Sequence, residues 1–219
     1  MKKLNLLNIT LVSMTSVNID KTIEAMLLSS ENINFGKIKL ITHNRPDNLP
    51  EKIEFCYIDR IDSLDEYSYD MIYKLSEYID TEFALIVQSD GYVLNANSWK
   101  DEFFDYDYVG AIWPIPRDNI SFRGGDGTLY RVGNGGFSLR SKKLIDLPIK
   151  LKMKWESYKG FYNEDGFICV FKRKIYEENN CKFATIEVAK YFSHETELLE
   201  TKKIIPFGFH GKNSKYLKK

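Results

Sequence analysis

Four short segments gather the side chains able to do chemistry. Gln88-Ser89-Asp90-Gly91 follows an apolar run, Phe83–Val87, and ends it on a carboxylate. Open α/β sheets bind ligands outside the carboxyl ends of their strands, so an acid there can hold a metal ion or face a diphosphate. The same Asp can also serve only to shape a strand-ending turn. Glu164 and Asp165 stand before an apolar segment, Phe167–Arg173. Such a pair either complements a helix dipole or supplies a general base at a cleft edge. In the second case one acid faces the cleft and the other holds a neighbouring group. His210, in Phe-Gly-Phe-His-Gly, is either a packed histidine or a ligand for a divalent ion beside a carboxylate and phosphates. Mg²⁺ and Mn²⁺ need few protein ligands when a diphosphate supplies the rest, and Asp90 with His210 is a sufficient minimal set. Gly133-Asn134-Gly135-Gly136 lets backbone pass close to a ligand or forms a bulge at a strand start.

The elements that must position these residues follow from periodicity. Asn8–Met14 alternates and carries β-branched residues, which predicts strand one. Thr15, Ser16 and Asn18 offer caps for a helix over Val17–Ser29. Gly36 reads as a break before strand two, Lys37–Thr42, and Ile53–Ile58 is strand three. A helix is predicted over Ser68–Ile79, and Phe83–Val87 is a strand buried on both faces. This order implies a mostly parallel sheet with right-handed crossovers. Further on, the sequence predicts a short helix Trp99–Phe104, a strand Tyr108–Ala111 and a long loop over 113–131. A strand Phe137–Arg140 and a Ser141-capped helix Lys142–Asp146 follow, then helical Phe167–Arg173 and a tail with Ala184–Phe192. Loops as long as 113–131 inside compact domains are usually functional or mobile.

Bulk properties set bounds. The 219 residues suit one domain. Lys+Arg and Asp+Glu balance at 31 each, which argues against nucleic acid as a partner. Three scattered cysteines, Cys56, Cys169 and Cys181, lack metal-type spacing and suit a reducing compartment. Lys2 and Lys3 precede an apolar stretch, but Asn5, Asn8 and Thr10 interrupt it and no small-x-small site follows, so it reads as a strand, not a leader. No stretch is long enough to span a membrane. Strand one is followed by Ser13-Met14-Thr15-Ser16, with neither a dinucleotide-type glycine turn nor a Walker loop.

Read in order, several pieces resemble the glycosyltransferase-A superfamily. They are Gln88-Ser89-Asp90-Gly91, Tyr108-Val109-Gly110-Ala111-Ile112-Trp113, Gly133-Asn134-Gly135-Gly136-Phe137-Ser138-Leu139-Arg140, Glu164-Asp165 and Pro206-Phe207-Gly208-Phe209-His210-Gly211. More closely, the chain is similar to a bacterial glycosyltransferase-related domain family with a Gly-Asn-Gly-Gly-Phe-Ser-Leu-Arg motif. The match spans roughly residues 5–211. It implies an α/β, glycosyltransferase-A-like fold with a Rossmann-like, mostly parallel central sheet flanked by helices. It implies one domain over 1–219, with a nucleotide-binding half (1–91), an acceptor-binding and catalytic half (92–211) and a basic tail (212–219).

The resemblance also implies roles. Asp165 would be the general base, with Glu164 beside it. Thr10, Ser13, His43, Arg45, Gln88, Ser89, Asp90 and Gly91 would face the donor nucleotide. Trp113, Asn134, Gly135 and Gly136 would line the acceptor side. Asp90 and His210 would bind Mn²⁺ or Mg²⁺. The usual Asp-x-Asp is reduced here, with Gln88 in the first position. Either the two ligands suffice with the diphosphate, or cations such as Arg123, Arg131 or Lys212 replace the metal. Trp113, Tyr130 and Trp155 are candidates to stack on sugar rings.

The implied activity is transfer of a sugar from a nucleotide-diphosphate donor to a glycan or lipid-linked glycan, with inversion, in capsule or lipopolysaccharide assembly. The implied setting is cytoplasmic, peripheral at the inner membrane face, beside other polysaccharide-assembly domains. The tail lysines Lys212, Lys215, Lys218 and Lys219 would touch anionic lipid or acceptor, or form a solvated end. Two other classes stay open: a sugar nucleotidyltransferase, and a silent carbohydrate-binding module.

Overall fold

The structure is a computed structural model that describes residues 3–156, 163–211 and 215–216. Strand β1 (Leu4–Met14) leads into α1 (Ile19–Ser29), β2 (Ile33–Thr42), β3 (Glu54–Tyr57), α2 (Leu64–Tyr73) and β4 (Phe83–Ile86). The carboxyl half is cut finer. It holds β5 (Tyr108–Val109), β6 (Ala111–Ile112), β7 (Val132–Gly133), β8 (Ser138–Ser141), α3 (Lys142–Lys150), α4 (Glu164–Gly166), α5 (Arg173–Glu178), α6 (Ile186–Phe192), β9 (Ser193–His194) and β10 (Gly208–Phe209).

A six-stranded sheet in the order β3-β2-β1-β4-β8-β5 forms the centre. β1 to β4 are mutually parallel, and β8 runs antiparallel to both β4 and β5. The expected α/β architecture is what forms. β1 and β4 are covered on both faces, which is why Ile9, Leu11, Val12 and Phe83 to Ile86 read as apolar runs without a polar face.

Several boundaries differ from the sequence reading, each for a local reason. Gly36 does not break β2. A Cβ there would stand 2.1 Å from the Leu7 carbonyl oxygen, where the β1–β2 register shifts between Leu6 and Thr10, so its glycine permits close approach of two strands. The second helix starts at Leu64, not Ser68, because Ser63 Oγ accepts the Glu66 N–H at 3.1 Å and the Glu66 carboxylate accepts the Asp62 N–H at 2.7 Å. Gly110 splits the strand expected at Tyr108–Ala111. A Cβ at Gly110 would lie 1.8 Å from the Gly133 carbonyl oxygen. α3 runs on to Lys150 through Pro148, capped as expected by Ser141. After α4 the chain widens into a π turn over Phe167–Phe171, closed by Lys172 N–H to Phe167 O at 2.8 Å, a deformation common at functional sites.

The antiparallel β8 fixes the site. Ile86 pairs with Ser138, so the residues leaving β4 lie beside those entering β8. The C-terminal segment reaches the same edge. Gly208 pairs with Ser193 and bridges Val93. Phe137, Phe192 and Phe207 pack with ring centroids 5.3–5.9 Å apart beneath it. A side chain at Gly208 would strike the Phe137 ring at 2.1 Å.

Candidate active site

At the end of β4, Gln88 and Gly91 exchange backbone hydrogen bonds, making a tight turn that presents Asp90. Gln88 is pinned at both ends of its amide. Its Nε2 donates to Tyr67 Oη at 2.7 Å, and its Oε1 lies 3.0 Å from His210 Nε2. Asp90 Oδ1 is 3.3 Å from the same nitrogen. The other ring nitrogen, Nδ1, faces Asn134 Nδ2 at 3.2 Å. Asn134 Oδ1 already accepts the Gly136 N–H at 3.0 Å. Its amide therefore points an N–H at His210 Nδ1, which leaves the histidine proton on Nε2, toward Gln88 and Asp90. Burial pulls the His210 pKa down, but the hydrogen bond and charge of Asp90, with Glu195 and Asp165 farther off, outweigh it and raise the value.

The glycine run lies between this histidine and the acid pair. Asn134 occupies left-handed backbone, with φ of 69°. A Cβ on Gly136 would meet His210 Nε2 at 2.1 Å, and one on Gly135 would meet Glu164 Oε1 at 1.6 Å. On the far side, Gly135 N–H donates to Asp165 Oδ2 at 3.3 Å and Gly166 N–H donates to Asp165 Oδ1 at 2.7 Å. Burial first, then the charge of Glu164, pushes Asp165 up to about 7. Glu164 itself is buried, 3.0 Å from the guanidinium of buried Arg140. Breaking such a pair costs about 3–5 kcal/mol.

Two clefts lie beside the run, and the buried Asn134, Gly135 and Gly136 line neither of them, in contrast to the expected acceptor-side lining. One, of about 520 Å³, is lined by Ser13 to Asn18, Ile61 to Leu64, Tyr67, Gln88 to Asp90 and His210. Ser13 Oγ is buried at its floor and has no hydrogen-bond partner among the described residues. The other, of about 500 Å³, is lined by Trp113, Pro114, Ile120, Phe122, Asn163, Asp165, Val170 and Glu195, with Ser121, Gly166 and Thr196. Trp113 and Phe122 stack there with centroids 4.6 Å apart and planes at 12°.

Residues 52–210 match the family described as "Protein of unknown function (DUF5672)". The chain belongs to that family. No curated protein matches it in sequence. Among solved structures, it is similar to "a glycosyltransferase involved in the glycosylation of the major capsid of PBCV-1", with a TM-score of 0.52 at 12% identity over 95% of this chain and 94% of that one. The fold of this DUF5672 member is thus glycosyltransferase-A-like. A mannosyltransferase from Pyrobaculum calidifontis, PcManGT, solved in complex with GDP-Man and Mn²⁺, overlaps less well. Its TM-score is 0.46 at 10% identity, over 81% of this chain and 54% of that one.

The donor set suits a divalent ion in one respect. Gln88 Oε1 and Asp90 Oδ1 lie 3.0 and 3.3 Å from His210 Nε2, near the ~3 Å edge of an octahedron with ~2.1 Å bonds. Ligation requires the histidine proton to move to Nδ1 and the Asn134 amide to turn. Among the described residues no three His, Cys, Asp or Glu gather by themselves, so Gln88 and a bound phosphate must complete any such set.

The structure brings Ser13, Gln88, Ser89 and Asp90 to one cleft and Trp113 and Asp165 to the other. Gly91 backs His210, since a Cβ there would lie 2.9 Å from the ring. Thr10 does not reach the Ser13–Tyr67 cleft: it is buried in mid-strand and hydrogen-bonded to Thr81 at 2.7 Å. His43 and Arg45 also miss it. Arg45 is exposed beyond β2, 6.0 Å over Phe55, and His43 leans on Thr42. Glu164 reaches neither cleft because Arg140 claims it. Arg131 is tied to Glu200 and Trp113 O, and Arg123 to Gly127 O, and neither lines the Ser13–Tyr67 cleft. Trp155 donates to Asp65 on another face, and Tyr130 lies under Arg173. Lys212, Lys218 and Lys219 lie outside the described residues. Among the described residues no helix is long and apolar enough to cross a membrane.

Sequence reasoning missed Tyr67, Arg140 and Glu195. Arg140 carried a signal, being a charge at an inward position of an apolar strand. Tyr67 and Glu195 carried none.

Proposed function

We propose that this protein is a glycosyltransferase that moves a sugar from a nucleotide-diphosphate donor to a hydroxyl of a glycan acceptor, with inversion. The observation that carries this reading is the placement of Asp165. It is a half-buried acid on a cleft wall, oriented by two backbone N–H groups and poised near neutral pH. A general base works best when its pKa lies near the operating pH. The glycosyltransferase-A-like fold supports the reading.

The nucleotide occupies the Ser13–Tyr67 cleft, with its diphosphate toward Asp90 and His210. Asp90, His210 and Gln88 Oε1 would hold a divalent ion, which when bound neutralises the leaving diphosphate. Asp165 takes the proton of the acceptor hydroxyl. That oxygen bonds to the anomeric carbon from the face opposite the nucleotide, and the carbon–oxygen bond to the diphosphate breaks. The stacked Trp113–Phe122 pair gives the acceptor ring an apolar wall. Capsule or lipopolysaccharide glycans, lipid-linked ones included, are the acceptors this reading favours.

The test is a panel of nucleotide sugars and acceptor glycosides, with and without chelator, read by nucleoside diphosphate release. Acceptor-dependent release from at least one donor is expected. Pyrophosphate released from a nucleoside triphosphate would instead mark a nucleotidyltransferase. Sugar binding without release would mark a binding module. Full activity in excess chelator would remove the metal from the reading.

A further inference from the structure

Asp165 is held by a construction that the general-base role does not by itself require. Arg140 is 1% exposed, a cation sealed from water. Its Nε donates to Ser138 Oγ at 3.0 Å, and its Nη2 donates to Glu164 Oε1 at 3.0 Å and to the Gly135 carbonyl at 3.4 Å. The same Gly135 offers its N–H to Asp165. One residue's backbone thus links the buried guanidinium to the cleft acid. Only glycine fits, because any Cβ would overlap Glu164 Oε1.

We infer that Arg140 is a positioning residue: acting through Gly135, and with Glu164 as its counter-ion, it holds Asp165 on the cleft wall and reserves it for proton transfer. The inference rests on the reading of Asp165 as base, and it assigns the adjacent acid a purely electrostatic part. A buried cation between two neighbouring acids can neutralise only one. Geometry gives it to Glu164, and Glu164 in turn repels charge from Asp165.

Other groups face Asp165 from the surrounding elements. Tyr67 on α2, Tyr108 on β5 and Cys169 in the π turn all have their pKa values raised by burial and stay neutral through the working range. His210, across the glycine run, has its pKa pulled down by burial but raised overall by Asp90, and it is unchanged in the variants below.

The experiment needs no substrate. Protein labelled with ¹³C at aspartate carboxyls is titrated by NMR, and Asp165 is assigned by the signal missing from Asp165→Asn. Glu164→Gln removes the repelling charge and leaves Arg140 in place, so the Asp165 midpoint should fall by about one unit or more. Glu164→Gln combined with Arg140→Met removes both charges, and its midpoint should lie between the other two. The order wild type, double variant, single variant, from high to low, is the signature of the construction. Should the single variant not fold, the double variant leaves no unpaired charge buried, and its midpoint must still fall below wild type. A midpoint unmoved in both variants, or one that rises in Glu164→Gln, overturns the inference. Retained turnover in Asp165→Asn would instead overturn the base assignment.

Discussion

Asp90 and Asp165 are the same side chain in opposite settings. Asp90 sits at a strand end against His210, whose ring N–H it faces and whose proton affinity it raises. Asp165 sits at a helix start, where burial first and then the charge of Glu164 lift its proton affinity to about 7. The first setting pairs the acid with a ring N–H and suits it to meeting cations. The second favours an acid that exchanges a proton. The contrast teaches that the role of a carboxylate here is set by its burial together with its neighbours' charge, and that the glycine run keeps the two settings apart.

That contrast can be broken or sharpened by experiment. The largest effect is expected from Asp165→Asn, which should cut turnover by about 10²–10⁴ while nucleoside diphosphate affinity by calorimetry stays within about twofold. An equal loss of both would erase the division between the sides. The acid limb of the pH–rate profile comes next. Turnover should fall about tenfold per pH unit below about 7, as Asp165 gains its proton. Gly136→Ala should follow, because its Cβ collides with His210. Nucleoside diphosphate affinity should drop about tenfold, or ~1.4 kcal/mol, and unchanged affinity would detach His210 from the donor side.

Stability offers a smaller readout. Between about pH 4 and 7 the folded Asp165 binds more proton than the unfolded one, so its contribution falls as pH rises. Asp165→Asn should therefore melt several degrees higher than wild type at pH 8, with the difference vanishing below about pH 4. Thr10→Val should have the least effect. Thr81 donates to Phe83 O, so Thr10 is the donor of their shared bond, and Thr81 keeps a partner after the change. A cost of about 0.5–1.5 kcal/mol with unchanged kinetics is expected, and a kinetic change would return Thr10 to the donor side.

The amino half was the more legible. Its parallel strands are apolar runs separated by helices with regular spacing, and burial on both faces leaves that pattern intact. The carboxyl half hides its strands because β5, β6 and β7 are two residues each, too short to show a period. Gly36 admits a neighbouring carbonyl without ending its strand, whereas Gly110 admits one and splits its strand, and the two glycines look the same in sequence. Asp165, Asp90 and His210 could be picked out by residue type and motif order. Tyr67 could not, and Arg140 showed only as a charge in an apolar strand, without its partners, because sequence spacing does not show which side chains meet across α2, β8 and the Gln88 turn.

The pairing of β4 with β8 has a consequence for how such chains can change length. Ile86 against Ser138 works as a ruler, fixing where the Gln88 turn stands relative to Asn134. One residue added between Gly136 and Ser138 would slide the run by about 3.4 Å and turn every following side chain of β8 to the other face. Arg140 would then point away from Glu164. The stretch from Pro114 to Tyr130 lies outside that ladder and forms part of the cleft wall. Insertions there would reshape what the Trp113 cleft admits and leave both acids in place, so length variation in this fold belongs to that wall.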